Sequence, residues 1–405
     1  MRIAPIVLFL LSTHALASEH VVPTDVPTIQ AAIDRAKDGD LVRVLPGLYR
    51  ERINFQGRAI AVVSTHGAEL TVIDGLWLGS VVRFDSGEDR RARLEGFTIT
   101  HGRDAWHAGG VHIDNASPTL RNNRIVDNQG GAQGHGLSLL QSGAWLEGNV
   151  IASNRSVSGA HGAGGGGGIG IHGPGAVTLI GNQIVGNEVR YSGGGGIALV
   201  DAGPVWMVAN TVQGNRARLH GAGLSVLGRS QIRIEQNLLV GNQLSEPGAG
   251  GGVYWQLYGG GRVELIGNTV ADNQAERGSA VYADGSDADS TLINNLLLGV
   301  AERSTLECGD LGDLQPPRYQ HNNVWGGIAY AGLCADVGAN LSRKPEFERG
   351  YVPAAASAGV DQGDDTASML AWDLAGAARV QDGNGDGRRQ IDIGAFEARD
   401  VATKR

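Results

Sequence analysis

Lysine is nearly missing from this chain. Only Lys37, Lys344 and Lys404 occur, so arginine supplies the other 30 of the 33 basic residues. A lysine base is thereby excluded from the whole stretch between Lys37 and Lys344. Basic excess is missing too: the formal net charge is −9. A protein devoted to nucleic acid carries a basic surface, so that partner is not expected. After residue 20 there is no apolar run of 18 residues, which excludes a membrane-spanning helix in the mature chain. Aromatics make up only 5% of the residues while glycine numbers 64. By composition alone that balance points to disorder, unless a repeat explains it.

A repeat does explain it. In Gly193–Asn215 a glycine run leads into Ile197-Ala198-Leu199, a corner at Asp201–Pro204, a second apolar alternation at Val205–Val208, then Asn210 and a third short strand, Thr211-Val212. The asparagine recurs as Asn123, Asn149, Asn182, Asn210, Asn237, Asn268, Asn295 and Asn323, at intervals of 26 to 33 residues. The apolar residue after the glycines recurs as Val111, Leu137, Ile169, Ile197, Leu224, Val253 and Val281. Both landmarks stretch near residues 160 and 245, as insertions in one loop would make them. Strands this short cannot bury a face alone, so each unit has to stack on its neighbours. The expected fold is all-β: a right-handed parallel β-helix of about ten rungs, with aliphatic layers inside and an asparagine at the same corner of every rung.

The units GGGGIALV, GAGLSVLG and GGGVYWQL, each followed by an NxhxxN pattern with h apolar, resemble the repeats of the pectin-lyase-like superfamily. That resemblance covers nearly the whole mature chain. It implies a carbohydrate-active or glycan-binding protein, since the superfamily holds lyases, hydrolases, epimerases and non-catalytic surface proteins. Fold does not choose among these.

Met1–Ala17 reads as a secretory signal: Arg2, an apolar core from Ile3 to Leu11, and Ala15-Leu16-Ala17 as the cleavage pattern. A secreted protein, extracellular or periplasmic, is expected. Residues 18–40 form an N-terminal cap, with Ile29, Ala32, Ile33 and Ala36 on one helical face and Gly39 as the stop. Residues 41–335 form the coil. Residues 336–405 leave the repeat, and NLSRKPEF, DLAG and DIGAFE within them resemble a choice-of-anchor Q module. No anchor follows it before Arg405, which suggests a released protein, expected to be a monomer. Cys308 and Cys334 stand one rung apart. At equivalent corners their α-carbons would lie about 5 Å apart, within disulfide reach; two free buried thiols are the alternative.

Four groups of residues are candidates for chemistry. Asp382, Asn384 and Asp386, with glycines between, match the first half of a calcium loop. Calcium is thus the candidate cofactor, with Asp392 as a further ligand. An Asx/Gly turn is the alternative, because position twelve is Ile393 rather than Glu. Gly134-His135-Gly136 resembles the GHG of polygalacturonases, but Asn115 stands where that family needs an acid. The outward row of the first strand offers His112, Asp114, His172, Tyr254 and Tyr282, with His135 at a glycine corner, as contacts for a polysaccharide or cell-surface glycan, and small residues between them form a trough. The flanking loop offers Arg190, Tyr191, Arg218 and His220 as the catalytic set of a lyase acting on an acidic polysaccharide. Such a reaction needs a cation on the carboxylate and a base for the C5 proton. A non-catalytic glycan-binding or surface scaffold protein is the rival reading. On that reading Arg155, Glu188 and Arg216 form only a surface ion-pair ladder, at roughly 0–1 kcal/mol per pair.

Overall fold

Three-sided rungs follow from the sequence because each rung has three short apolar alternations and three sharp corners. A computed structural model of the protein describes residues 17–157, 165–285, 289–311, 314–336, 338–368 and 370–399. The expected signal segment, apart from Ala17, lies outside the described residues. The rungs stack into three parallel sheets that wind as a right-handed β-helix, the hand that parallel crossovers take. The third sheet has eleven strands, from Gly47–Tyr49 to Asn323–Trp325, against about ten rungs expected. Antiparallel pairing among the described residues is confined to the C-terminal module.

Aliphatic layers fill the interior. Val111, Leu137, Ile169, Ile197, Leu224, Val253 and Val281 are successive partners in the first sheet. Ile73, Ile99, Ile125, Ile151 and Ile184 do the same in the third. All of them are buried. β-branched side chains suit such stacks, because their single favoured rotamer repeats from strand to strand.

Asparagine holds one edge. Oδ1 of Asn210 accepts the backbone N–H of Asn182 (2.8 Å) and its Nδ2 (2.9 Å), while Nδ2 of Asn210 donates to Oδ1 of Asn237 (2.9 Å) and to the carbonyl of Leu179 (3.0 Å). The same pattern runs from Asn123 through Asn149, Asn182, Asn210, Asn237, Asn268 and Asn295. It continues at Asn322, not at the expected Asn323, and ends at Asn340. Asn340, inside the 336–405 segment expected to leave the repeat, thus still takes part in the ladder. A second, parallel ladder joins Asn128, Asn154, Asn187, Asn215, Asn242 and Asn273 at the next corner.

Two local expectations change. The corner at Asp201–Pro204 is a bend within one continuous strand, Ile197–Val208, and Ile169–Ile180 below it bends likewise. Each keeps pairing through the corner because its neighbour bends with it. The helix Ile29–Arg35 caps the coil, with Thr28 accepting from the N–H of Ala31 and Ala36, not Gly39, ending it. Before it, Glu19–Val22 already pairs with Leu41–Val44 as a strand. At the other end Cys308 and Cys334 form a disulfide with their α-carbons 5.1 Å apart.

The C-terminal module folds back over the outside of the coil. Gly394 N–H donates to the carbonyl of Asn294 (2.8 Å), Ala395 N–H to Oγ1 of Thr269 (3.0 Å), and Oγ of Ser368 to Glu235 (2.8 Å). Its centre is an ion pair between Arg379 and Glu397, 2.9 Å apart and both almost fully buried. The DIGAFE sequence supplies Glu397 and the Asp392 and Gly394 carbonyls that hold Arg379.

Candidate functional site

The first sheet was expected to carry an open trough, and its nearer outward row is covered. In register this row reads Arg83, His112, Ser138, Gly170, Ala198, Ser225, Tyr254 and Tyr282. The glycine run before each strand curls back onto it. A Cβ on Gly194 would lie 2.6 Å from that of Ala198, and one on Gly221 would lie 2.7 Å from that of Ser225. Both glycines have positive φ, +72° and +56°, which lets the loop turn this tightly. Small residues in the middle of the row thus make room for the protein's own backbone.

The expected aromatic and histidine contacts fall under the same cover. His112 is 2% exposed, shares a hydrogen bond with Ser138 (2.9 Å) and stacks on His107 at 4.1 Å. Burial, helped by the positive charge of His107 and Arg83, takes its pKa down to about 4. His135 is buried with Nε2 on Oγ of Ser156 (2.8 Å), and burial brings it also to about 4. Tyr254 and Tyr282 are buried and stacked 5.4 Å apart, beneath His220 on one side and Arg277 on the other. His112, His135, Tyr254 and Tyr282 are therefore internal packing residues, not the floor of an open groove.

The proposed catalytic set lies on one flank, where Arg218 N–H donates to the carbonyl of Ser192 and so sets its turn beside Arg190 and Tyr191. Its cations are already paired. Arg190 meets Glu188 at 3.0 Å and Arg218 meets Glu246 at 2.9 Å. Arg155, Glu188 and Arg216 do stack, but through backbone bridges, and the ion pair of Glu188 goes to Arg190. His220 sits between Gly193 and Tyr254, with Nδ1 on Oγ of Ser225 (3.0 Å). Burial lowers it to about 4, so it is neutral at pH 7.

What stays open is the farther outward row: Asp114, Leu140, His172, Val200, Leu227 and Gln256, one from each of six successive rungs. His172, Val200, Leu227 and Gln256 line a hollow of about 470 Å³, with Tyr258, Gly228, Ala132 and Gln133 at its sides. Asp284 follows Gln256 in register but is covered, with its carboxylate accepting from the N–H of Leu311 (2.9 Å). Of the six expected contact residues, only Asp114 and His172 belong to this open row.

A group missed in the sequence sits at the row's N-terminal end. Arg83 Nε donates to Asp85 (2.8 Å), and Asp104 accepts the N–H groups of Trp106 and His107, 2.9 Å each. Burial pushes Asp85 and Asp104 up, but these hydrogen bonds and nearby cations outweigh it and hold both below the usual carboxylate range. Two ionised carboxylates, Arg83, His107 and a neutral His112 thus share one corner. The signal was present in the 29-residue step from Arg83 to His112, one rung, but it fell in the irregular part of the repeat.

The oxygens of the Asp382–Asp386 loop, the expected calcium ligands, accept backbone hydrogen bonds within the loop. Oδ1 and Oδ2 of Asp382 accept the N–H groups of Gly385 (2.7 Å) and Gly387 (3.0 Å), Asn384 accepts from Asp386, and Asp386 accepts from Arg388. Asp392 accepts from Asp361 and Ala398, and burial raises it to about 6. Among the described residues no cluster of three His, Cys, Asp or Glu side chains is arranged to hold a metal. The hydrogen bonds within the loop give it the form of successive Asx turns.

No curated protein matches the chain in sequence. Solved structures similar to it include pectate lyase Pel9A, 13% identical, with a TM-score of 0.43 over 92% of this chain and 91% of that one. XylC in complex with xylose is 10% identical, with a TM-score of 0.45 over 92% and 95%. A PL6 family polysaccharide lyase from Pseudopedobacter saltans is 12% identical, with a TM-score of 0.31 over 77% and 89%. Residues 109–297, the regular rungs whose strands stack in register, match the family of the right handed beta helix region.

Proposed function

We propose that this chain is an exported β-helix that binds a glycan chain laid along its axis on the open row of the first sheet. The observation that carries this reading is the row itself. Six side chains stand in register, apolar at Leu140, Val200 and Leu227 and polar at Asp114, His172 and Gln256, and four of them, His172, Val200, Leu227 and Gln256, border a shallow hollow. Apolar ground with a few placed polar groups is what a ligand site needs. The disulfide and the leader-like Met1–Ala17 support export, and the residues after the coil fit a choice-of-anchor Q module.

Lyase action on an acidic polysaccharide is the second reading. It is favoured by the neutral His220 with Arg190 and Arg218 on one flank, and opposed by the carboxylates that already hold both arginines. Native gels cast with a panel of uronans and neutral glycans test the first reading. Val200→Lys blocks the row and should weaken retardation, and unchanged retardation rejects the site. Ultraviolet absorbance of an unsaturated product tests the second. A rise that survives Arg218→Ala with His220→Ala clears both residues of catalysis.

A further inference from the structure

The second sheet carries a row that the reading above leaves unused. Its outward residues run Thr119, Trp145, Thr178, Trp206 and Arg233 in register. Trp145 and Trp206 stand two rungs apart, roughly 9.6 Å at the usual strand spacing, with the short Thr178 between them. Trp206 is 38% exposed. Trp145 is fixed in place: its Nε1 donates to Glu147 (2.9 Å), which Arg121 holds in turn (2.8 Å). Both ends of the row are polar. Arg90 stands 5.7 Å over the Trp145 ring and pairs with no carboxylate among the described residues. Beyond Trp206 lies a hollow of about 200 Å³ lined by Pro204, Val205, Gln231 and Ile232 and by Arg233 and Arg262, both paired with Glu264.

We infer that this row is a second glycan-binding platform, for an extended chain of equatorially 1,4-linked pyranoses. Such a chain advances by nearly one strand spacing per unit. Alternate units then meet the two indoles, and the unit between them passes over Thr178. The axial C–H groups of a pyranose form an apolar face that packs on a flat aromatic ring. The polar side chains of the hollow and Arg90 take hydroxyl or carboxylate groups at either end. A buried core explains neither indole, because both point away from the aliphatic layers.

The inference does not rest on the first-sheet row, and the two separate by mutation. Affinity electrophoresis with a 1,4-linked neutral glycan and a 1,4-linked uronan, in separate gels, measures binding of the full chain. Trp206→Ala should weaken binding about tenfold, the equivalent of one lost stacking contact, and Trp206→Tyr should recover most of it. Trp145→Ala should act in the same direction, and circular dichroism should show the coil intact in each. In the Val200→Lys background the Trp206 effect should persist. Binding that Val200→Lys abolishes and Trp206→Ala leaves intact overturns the platform, as does an absence of binding to both polymers. Sedimentation covers the remaining case: a dimer that Trp206→Ala converts to a monomer assigns the row to a second copy of the chain and overturns the glycan reading.

Discussion

Asn210 shows how much one side chain is asked to do in this fold. It is fully buried, and its amide satisfies groups on three rungs at once. Asn210→Ala would strand the N–H of Asn182 and the carbonyl of Leu179 in the interior. Each unsatisfied buried group costs about 1–3 kcal/mol, so the expected loss is about 3 kcal/mol or more, read as a lower denaturation midpoint. His135 gives a different kind of test. Its pKa falls from 6.5 in the unfolded chain to about 4 in the fold, because burial disfavours the charged ring. The unfolded chain therefore takes up a proton that the folded one refuses. Stability is full above pH 6.5 and is lost as pH drops toward 4, by roughly 3 kcal/mol from this residue. His112 and His220 act in the same sense. Thermal midpoints at pH 7 and pH 4.5 should differ widely, and His135→Gln should narrow the gap.

At the level of strands and corners, the glycine runs decide where the surface is open. Gly194 has φ +72° and no room for a Cβ, which would meet the Ile197 carbonyl at 2.7 Å. Gly194→Val should therefore lift the loop from the first sheet and cost about 2 kcal/mol or more, measured by denaturant unfolding. The repeat itself was legible because inward layers and asparagine corners demand the same residue type on every rung. The cover over the first sheet was not legible. Gly170, Ala198 and Ser225 are small in either case, and only the path of Gly166, Gly194 and Gly221 tells a floor for ligand from a seat for backbone. The last asparagine expected in the ladder was misplaced by one residue for a related reason: Asn322 and Asn323 are adjacent and both buried, and the sequence does not say which one joins the ladder. The Trp145–Trp206 row was hidden because the second strand shows its period only once register is known.

For the whole molecule, the C-terminal module matters as a clasp. Arg379 is the buried cation among Glu397, Asp392 and Asp373, and a buried pair broken on one side costs about 3–5 kcal/mol. Arg379→Ala should undock the module while leaving the rungs intact, since coils of this kind are stabilised rung by rung. Limited proteolysis is the check: cleavage confined to residues 341–399, with the coil resistant, is the expected pattern, and cleavage spread through the coil is the contrary one.

The bridge between Cys308 and Cys334 ties a strand to the end of the following turn and encloses 26 residues. Pulled from its two termini, the oxidised protein would pay out thread one turn at a time yet keep that loop knotted. Reduction would release it, lengthening the fully stretched chain by about 90 Å at ~3.5 Å per residue. A single-molecule force trace with and without reductant would read that step directly.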